Sequence, residues 1–278
     1  MESREGLSAS SILFVTFPIF NPAEDPGSSF VGLLNKVGLK PDTPAGSVDG
    51  SGISHGTTVV AIRYKEGVLL AGDRRATSGH LISHRTMEKV FPADMYSGVA
   101  ISGAAGPAME MVKLFQLQLE HYEKVEGSPL SLEGKANQLS LMLKGNFPAA
   151  MQGLGVIPIF AGFEEKTGIG RLFQFDITGG RYEERDYVAT GSGSLHASTV
   201  VKLRHHPEVD SSQAIDIALE ALIQASEEDS ATGGPDLVRR IFPIVASIDS
   251  NGFKKISEED LAERTEKILR TLSPGGGQ

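Results

Sequence analysis

Gly56-Thr57, within His55-Gly56-Thr57-Thr58-Val59-Val60, could carry chemistry. A glycine leaves room around the bond to be broken. Its loss would expose Thr57 as a new N-terminus with a hydroxyl nucleophile and an α-amine able to take its proton. The same residues would also serve simply to open a strand after a loop. Asp73, in Ala71-Gly72-Asp73-Arg74-Arg75-Ala76-Thr77, follows a strand-like run as an acid before two bases; a capped turn would look the same. Lys89, in Thr86-Met87-Glu88-Lys89-Val90, is a candidate buried cation or a surface lysine that buries only its stem. Thr190-Gly191-Ser192-Gly193-Ser194 and Glu228-Asp229-Ser230-Ala231-Thr232-Gly233-Gly234 bring hydroxyls and an acid into glycine-rich loops. Neither has the spacing of a phosphate cradle. His80 and His84 are four apart, but Gly79 disfavours a helix there and no third ligand follows at suitable spacing, so no metal is assigned.

These residues need elements to hold them. Residues 1–56 carry five prolines among glycines and serines, and only Ser28 to Val37 shows helical spacing. Beyond Gly56, Thr57 to Arg63 and Val68 to Gly72 read as a hairpin, and Ser97 to Ser102 as a strand. Apolar residues at 108, 111, 112, 115, 119 and 122 line one helix face, broken by Gly127-Ser128-Pro129. Ser131 can cap a second helix towards Met151. Strands follow at Val156 to Gly162, Arg171 to Asp176 and Arg181 to Ala189, with Gly179-Gly180 as the last turn. Helices are expected after Gly193, from Ser211 or Ser212 through Ile223, and over Glu258 to Leu272, with strands at Phe242 to Ile248 and Phe253 to Ile256 between the last two. Strands, two helices, strands, two helices, strands, without βαβ alternation, imply mostly antiparallel sheets covered by helices.

The chain has 278 residues, 40% hydrophobic and 22% charged, with a net charge of −9. That balance argues against nucleic acid or an anionic membrane as partner. No cysteine is present, which excludes disulfides and thiol catalysis and is compatible with a reducing cytoplasm. The apolar run Ser11 to Phe20 lacks a basic flank and is interrupted by Pro18, so neither a targeting signal nor a membrane span is expected.

The ordered set Gly-Thr-Thr, Ala-Gly-Asp-Arg-Arg-Ala-Thr, Glu-Lys-Val, Ser-Gly-Ala-Ala-Gly, Gly-Ser-Gly-Ser and Asp-Ser-Ala-Thr-Gly-Gly-Pro-Asp resembles the β-type subunits of 20S proteasomes, most closely actinobacterial ones, from Thr57 to Leu272. The resemblance implies the N-terminal-nucleophile hydrolase fold, an α+β four-layer αββα sandwich of two antiparallel sheets. It divides the chain into a propeptide, residues 1–56, and a catalytic domain, 57–278, with a flexible tail from about residue 273. It makes Thr57 the nucleophile, freed by autocatalytic cleavage after Gly56, with its α-amine (ordinary pKa about 7.7–8.0) as general base. Lys89 would lower the pKa of the Thr57 hydroxyl and Asp73 would hold Lys89. The Gly103 N–H would stabilise the oxyanion, a contribution of about 3–4 kcal/mol. Ser192, Asp229 and Thr232 match positions around the terminal amine; many relatives carry serine at the last.

By the same resemblance an extended peptide would pair with backbone near Thr77, Gly103 and Ala105. Ala76, Met87, Phe91, Ile101, Ala105 and Met109 match the specificity pocket; all are apolar, so cleavage after bulky apolar residues is expected. The implied partners are α subunits, further copies in a heptameric ring, and an ATPase ring delivering chains tagged with a ubiquitin-like protein; no cofactor is implied. The long leading segment and Asp229 to Gly234 argue against the simpler bacterial two-ring threonine protease. A non-catalytic ring subunit would commonly lack the threonine, the lysine or the processing glycine.

Overall fold

The computed structural model describes residues 56–272. The helix expected over Ser28 to Val37 and the tail from residue 273 lie outside them. The β-branched run after Thr57 forms β1 (Thr58–Tyr64), which turns tightly into β2 (Gly67–Gly72). These two pair with β11 (Ile244–Asp249), β12 (Gly252–Lys255) and β10 (Tyr187–Gly191) in a first antiparallel sheet, ordered β10-β1-β2-β11-β12. A second antiparallel sheet runs β5 (Val90–Asp94), β6 (Ser97–Gly103), β7 (Val156–Glu164), β8 (Ile169–Phe175), β9 (Arg181–Glu184). A small hairpin of β3 (Ala76–Ser78) and β4 (Leu81–His84) stands apart from both.

Alternation along the strands sorts side chains into three cores, as a four-layer stack requires. In β1, Val59 and Ala61 meet residues of the second sheet, while Val60, Ile62 and Tyr64 face the opposite way. That outer face is covered by α3 (Ser194–Arg204), α4 (Ser211–Glu228) and α5 (Glu258–Leu272). On the other side, Phe160 and Phe173 of the second sheet pack under α1 (Ala105–Glu126) and α2 (Leu132–Ala149). The αββα expectation therefore holds, and so does the helical spacing: Ala108, Met111, Val112, Phe115 and Leu119 are all buried on α1. Tyr122, read as part of that face, is 39% exposed.

Local signals set the helix ends. Gly127 closes α1 in the left-handed region, its N–H donating to the Glu123 carbonyl at 2.8 Å. Ser131 caps α2 by accepting from Gly134 N–H. The α4 cap is Asp210, one residue ahead of the expected serines: its carboxylate takes Gln213 N–H at 2.8 Å, and the Gln213 side chain returns to Asp210 N–H. Helix α2 ends in a π-type turn, Ala150–Leu154, after Pro148.

Three strand expectations need correction. The single strand over Arg181 to Ala189 is two, β9 and β10, in different sheets; Arg185-Asp186 carries the chain across without a turn residue to mark it. The run before β11 is not strand as far as Phe242, because Pro243 supplies no ladder N–H. Strands β3, β4 and β5 were not foreseen. All of β4 is exposed and β5 contains Pro92, so neither shows a clean apolar alternation.

Candidate active site

The loop from β2 into β3 carries Asp73, and its carboxylate is saturated. Oδ1 accepts the Lys89 ammonium at 2.6 Å and Thr58 N–H at 2.9 Å. Oδ2 accepts Arg75 N–H at 2.9 Å and Gly233 N–H at 2.8 Å. The Asp73 N–H in turn donates to the Thr58 carbonyl at 3.1 Å. Asp73 is fully buried and Lys89 is 1% exposed, so this ion pair is dry and survives only because its polar atoms are matched. Lys89 also donates to the Arg75 carbonyl at 2.6 Å. Burial lowers its pKa below the ordinary lysine value; the Asp73 charge and hydrogen bond oppose that, Arg75 adds to it, and the net direction is down.

Thr57 is 5% exposed, and its carbonyl is gripped from β10. Ser192 N–H donates to it at 2.9 Å, and Gly191 lets the strand approach: its φ is +103° and a Cβ there would lie 1.7 Å from the Thr57 oxygen. Gly56 is packed as closely. A Cβ on it would come within 1.8 Å of the Ala231 Cβ and 2.8 Å of the Ala231 carbonyl oxygen, while its N–H donates to Thr77 Oγ1 at 3.1 Å.

Ser192, Asp229 and Thr232 come together, and Thr58 joins them. Asp229 Oδ2 accepts from both Ser192 Oγ and Thr232 Oγ1, each at 2.5 Å. Thr232 thus spends its only proton on the carboxylate, so in the 2.5 Å contact between Thr58 and Thr232 hydroxyls Thr58 is the donor. Gly193 N–H completes Thr58 Oγ1 at 3.0 Å. Partial burial pushes the Asp229 pKa up, but bonds from Ser192, Thr232 and Ala231 N–H outweigh it and hold the carboxyl below its ordinary value. Sequence reasoning passed over Thr58, although it stood in the Gly-Thr-Thr triplet.

Gly103 ends β6 at φ +98°, where a Cβ would meet the Gly155 carbonyl at 2.2 Å, so the turn into α1 demands glycine. Thr77 lies in β3, which pairs with β4 in the small hairpin. Of the pocket residues, Phe91, Ile101 and Met109 pack in one apolar group under α1. Ala76 stands opposite His84 in the small hairpin, Met87 N–H bonds to the Arg74 carbonyl, and Ala105 opens α1. His80 and His84 lie on that exposed hairpin.

A two-sheet sandwich between helix layers, with a lysine–aspartate pair and a hydroxyl relay converging on a threonine at the start of β1, defines an N-terminal-nucleophile hydrolase architecture. A sequence model of the family described as "Proteasome subunit" matches residues 53–238. The proteasome subunit beta of Acidimicrobium ferrooxidans is 53% identical over 266 residues, covering 95% of this chain and 97% of that one. That of Streptomyces griseus is 54% identical over 224 residues, 80% of each chain, and that of Jonesia denitrificans 53% over 231, covering 80% and 76%. The chain belongs to the proteasome subunit family, among its catalytic β-type members, and is a protease subunit.

Proposed function

We propose that the chain is a threonine-type endopeptidase made as a precursor, in which residues 1–56 are a propeptide removed by cleavage of the Gly56–Thr57 bond. The observation that carries this reading is the confinement of Lys89. Asp73 Oδ1 and the Arg75 carbonyl take two of its three N–H donors, and that same Asp73 oxygen holds the N–H of Thr58, the residue bonded to Thr57. The third donor is then available to the Thr57 hydroxyl, which a neighbouring ammonium makes easier to deprotonate. Once the α-amine of Thr57 is free, it takes the hydroxyl proton and later returns one to the leaving amine. Ser192, Asp229 and Thr232 fix that amine, and the Gly103 N–H faces the developing oxyanion.

An extended peptide pairs as an added strand with backbone near Thr77, Gly103 and Ala105. Ala76, Met87, Phe91, Ile101, Ala105 and Met109 surround the residue before the cut bond, which favours bulky apolar side chains. Heptameric rings of this chain, stacked between α-subunit rings in the cytoplasm and fed by an ATPase with chains bearing a ubiquitin-like tag, complete the reading. No helix among the described residues is long and apolar enough to cross a membrane.

Intact-mass analysis after mixing with an α partner tests it. The expected product begins at Thr57 and appears together with peptide cleavage. A peptide-cleaving particle that retains the full-length chain would refute it.

A further inference from the structure

Next to Asp73 in the chain, a cleft opens between the loop after β2 and the loop before β11. It is lined by Arg74, Arg75 and Arg85, by Gly233, Gly234 and Asp236, and on one side by the apolar run Ile241 to Pro243. Three arginines line one cleft on a chain whose net charge is −9. Their own partners do not use them up. Arg74 gives one terminal nitrogen to the Thr86 carbonyl at 3.1 Å and lies 3.8 Å from the exposed Glu258. Its Nε is buried and has no hydrogen-bond partner among the described residues. Arg75 gives one nitrogen to the Ser230 carbonyl at 2.9 Å. Arg85 is exposed and has no ion pair among the described residues. The one carboxylate in the lining, Asp236, is taken by Arg239 through its N–H and its guanidinium, at 2.9 and 2.8 Å.

We propose that this cleft is an oxyanion-binding site, taking a carboxylate or phosphate group on the forked donors of Arg74, Arg75 and Arg85. A planar guanidinium with unspent donors matches such groups in pairs of parallel hydrogen bonds. The site is one residue removed from the chemistry: Arg75 holds Lys89 by its carbonyl, Asp73 by its N–H and the Ser230 loop by its guanidinium. Two sources share this ligand chemistry, a free oxyanion and a side-chain carboxylate of a neighbouring subunit.

Inorganic phosphate is the probe, titrated at constant ionic strength against the full-length chain alone and against the assembled particle, by calorimetry and phosphorus NMR line width. One saturable site per chain is expected on the chain alone. Arg85→Gln, a substitution of an exposed residue, weakens it about tenfold, the worth of one charge-assisted hydrogen bond. Lys202→Gln, an exposed cation on α3, leaves it unchanged. Phosphate bound by both samples identifies a free oxyanion as ligand; phosphate bound by the chain but not the particle identifies a subunit carboxylate. No saturable binding to the chain, or equal binding by Arg85→Gln, overturns the proposal. The readout needs no cleavage, so it stands or falls apart from the role of Thr57.

Discussion

Lys89 is a cation that the fold holds where water does not reach, and two consequences of that are measurable. Activity that needs its ammonium falls as pH rises through a pKa already lowered from the ordinary 10.5. Stability moves the other way. Between the folded value and 10.5 the unfolded chain binds the Lys89 proton more tightly, so this group's contribution to stability grows as pH rises. An alkaline loss of peptide cleavage with no loss of the folded state is therefore the expected signature, read by parallel rate and circular-dichroism titrations. Asp73→Asn removes the carboxylate charge, the largest influence that raises the lysine pKa, so the alkaline limb moves to lower pH. Breaking the buried pair also costs about 3–5 kcal/mol of stability. An unmoved limb in a folded Asp73→Asn protein would remove Lys89 from the mechanism. Gly56→Ala tests the bond to be cut. Its methyl would collide with Ala231, and a displacement near 1 Å slows self-cleavage about 100-fold by intact mass. Thr57, Asp73 and Lys89 were legible in the sequence because each sits in a short local motif. Thr58 as the donor to Thr232 was not, since their contact spans 174 positions and depends on how β1 meets the loop after α4.

Elements place these residues, and glycines at their ends set how closely. Gly191 ends β10 against the Thr57 carbonyl at φ +103°, whereas Gly168, in the turn between β7 and β8, also has a positive φ, +67°, but no atom near its absent Cβ. The pair separates backbone strain from steric displacement. Gly168→Ala is expected to cost only the conformational term, about 1–2 kcal/mol. Gly191→Ala adds a clash with backbone and pushes Thr57 off its seat, so it loses more stability and also self-cleavage. Urea midpoints and intact-mass time courses read the two effects, and equal behaviour of the variants would contradict the seating role of Gly191. Element legibility followed the same logic of locality. The long helices and the β1–β2 hairpin carry their periodicity in a single window. β4 shows none because it is exposed on both faces, and the crossing from β9 to β10 shows none because it happens without a turn.

Across the described body, the groups proposed to act in catalysis are divided between the two sheets. Thr57, Asp73 and Ser192 hang from ends of strands in the first; Lys89 precedes β5 and Gly103 ends β6 in the second. The Lys89–Asp73 bond therefore spans the sandwich, and the core between the sheets sets its length. Leu70 of β2 lies in that core, close enough to β6 that a Cβ on Gly98 would come 2.9 Å from its Cδ1. Leu222 of α4 is equally buried, but in the core between the first sheet and its helices. Truncating either leucine to alanine costs about 2–5 kcal/mol. The consequences for chemistry differ. Leu222→Ala loosens a helix layer and leaves the two sheets in register, so its folded fraction processes normally. Leu70→Ala lets the sheets settle towards each other by part of a side chain, which shifts Lys89 relative to Thr57 and slows self-cleavage about 100-fold beyond the change in stability. Processing rates corrected for folded fraction decide the matter. Equal corrected rates for the two variants would mean that the loops alone, rather than the sheet-to-sheet core, hold the lysine beside the threonine.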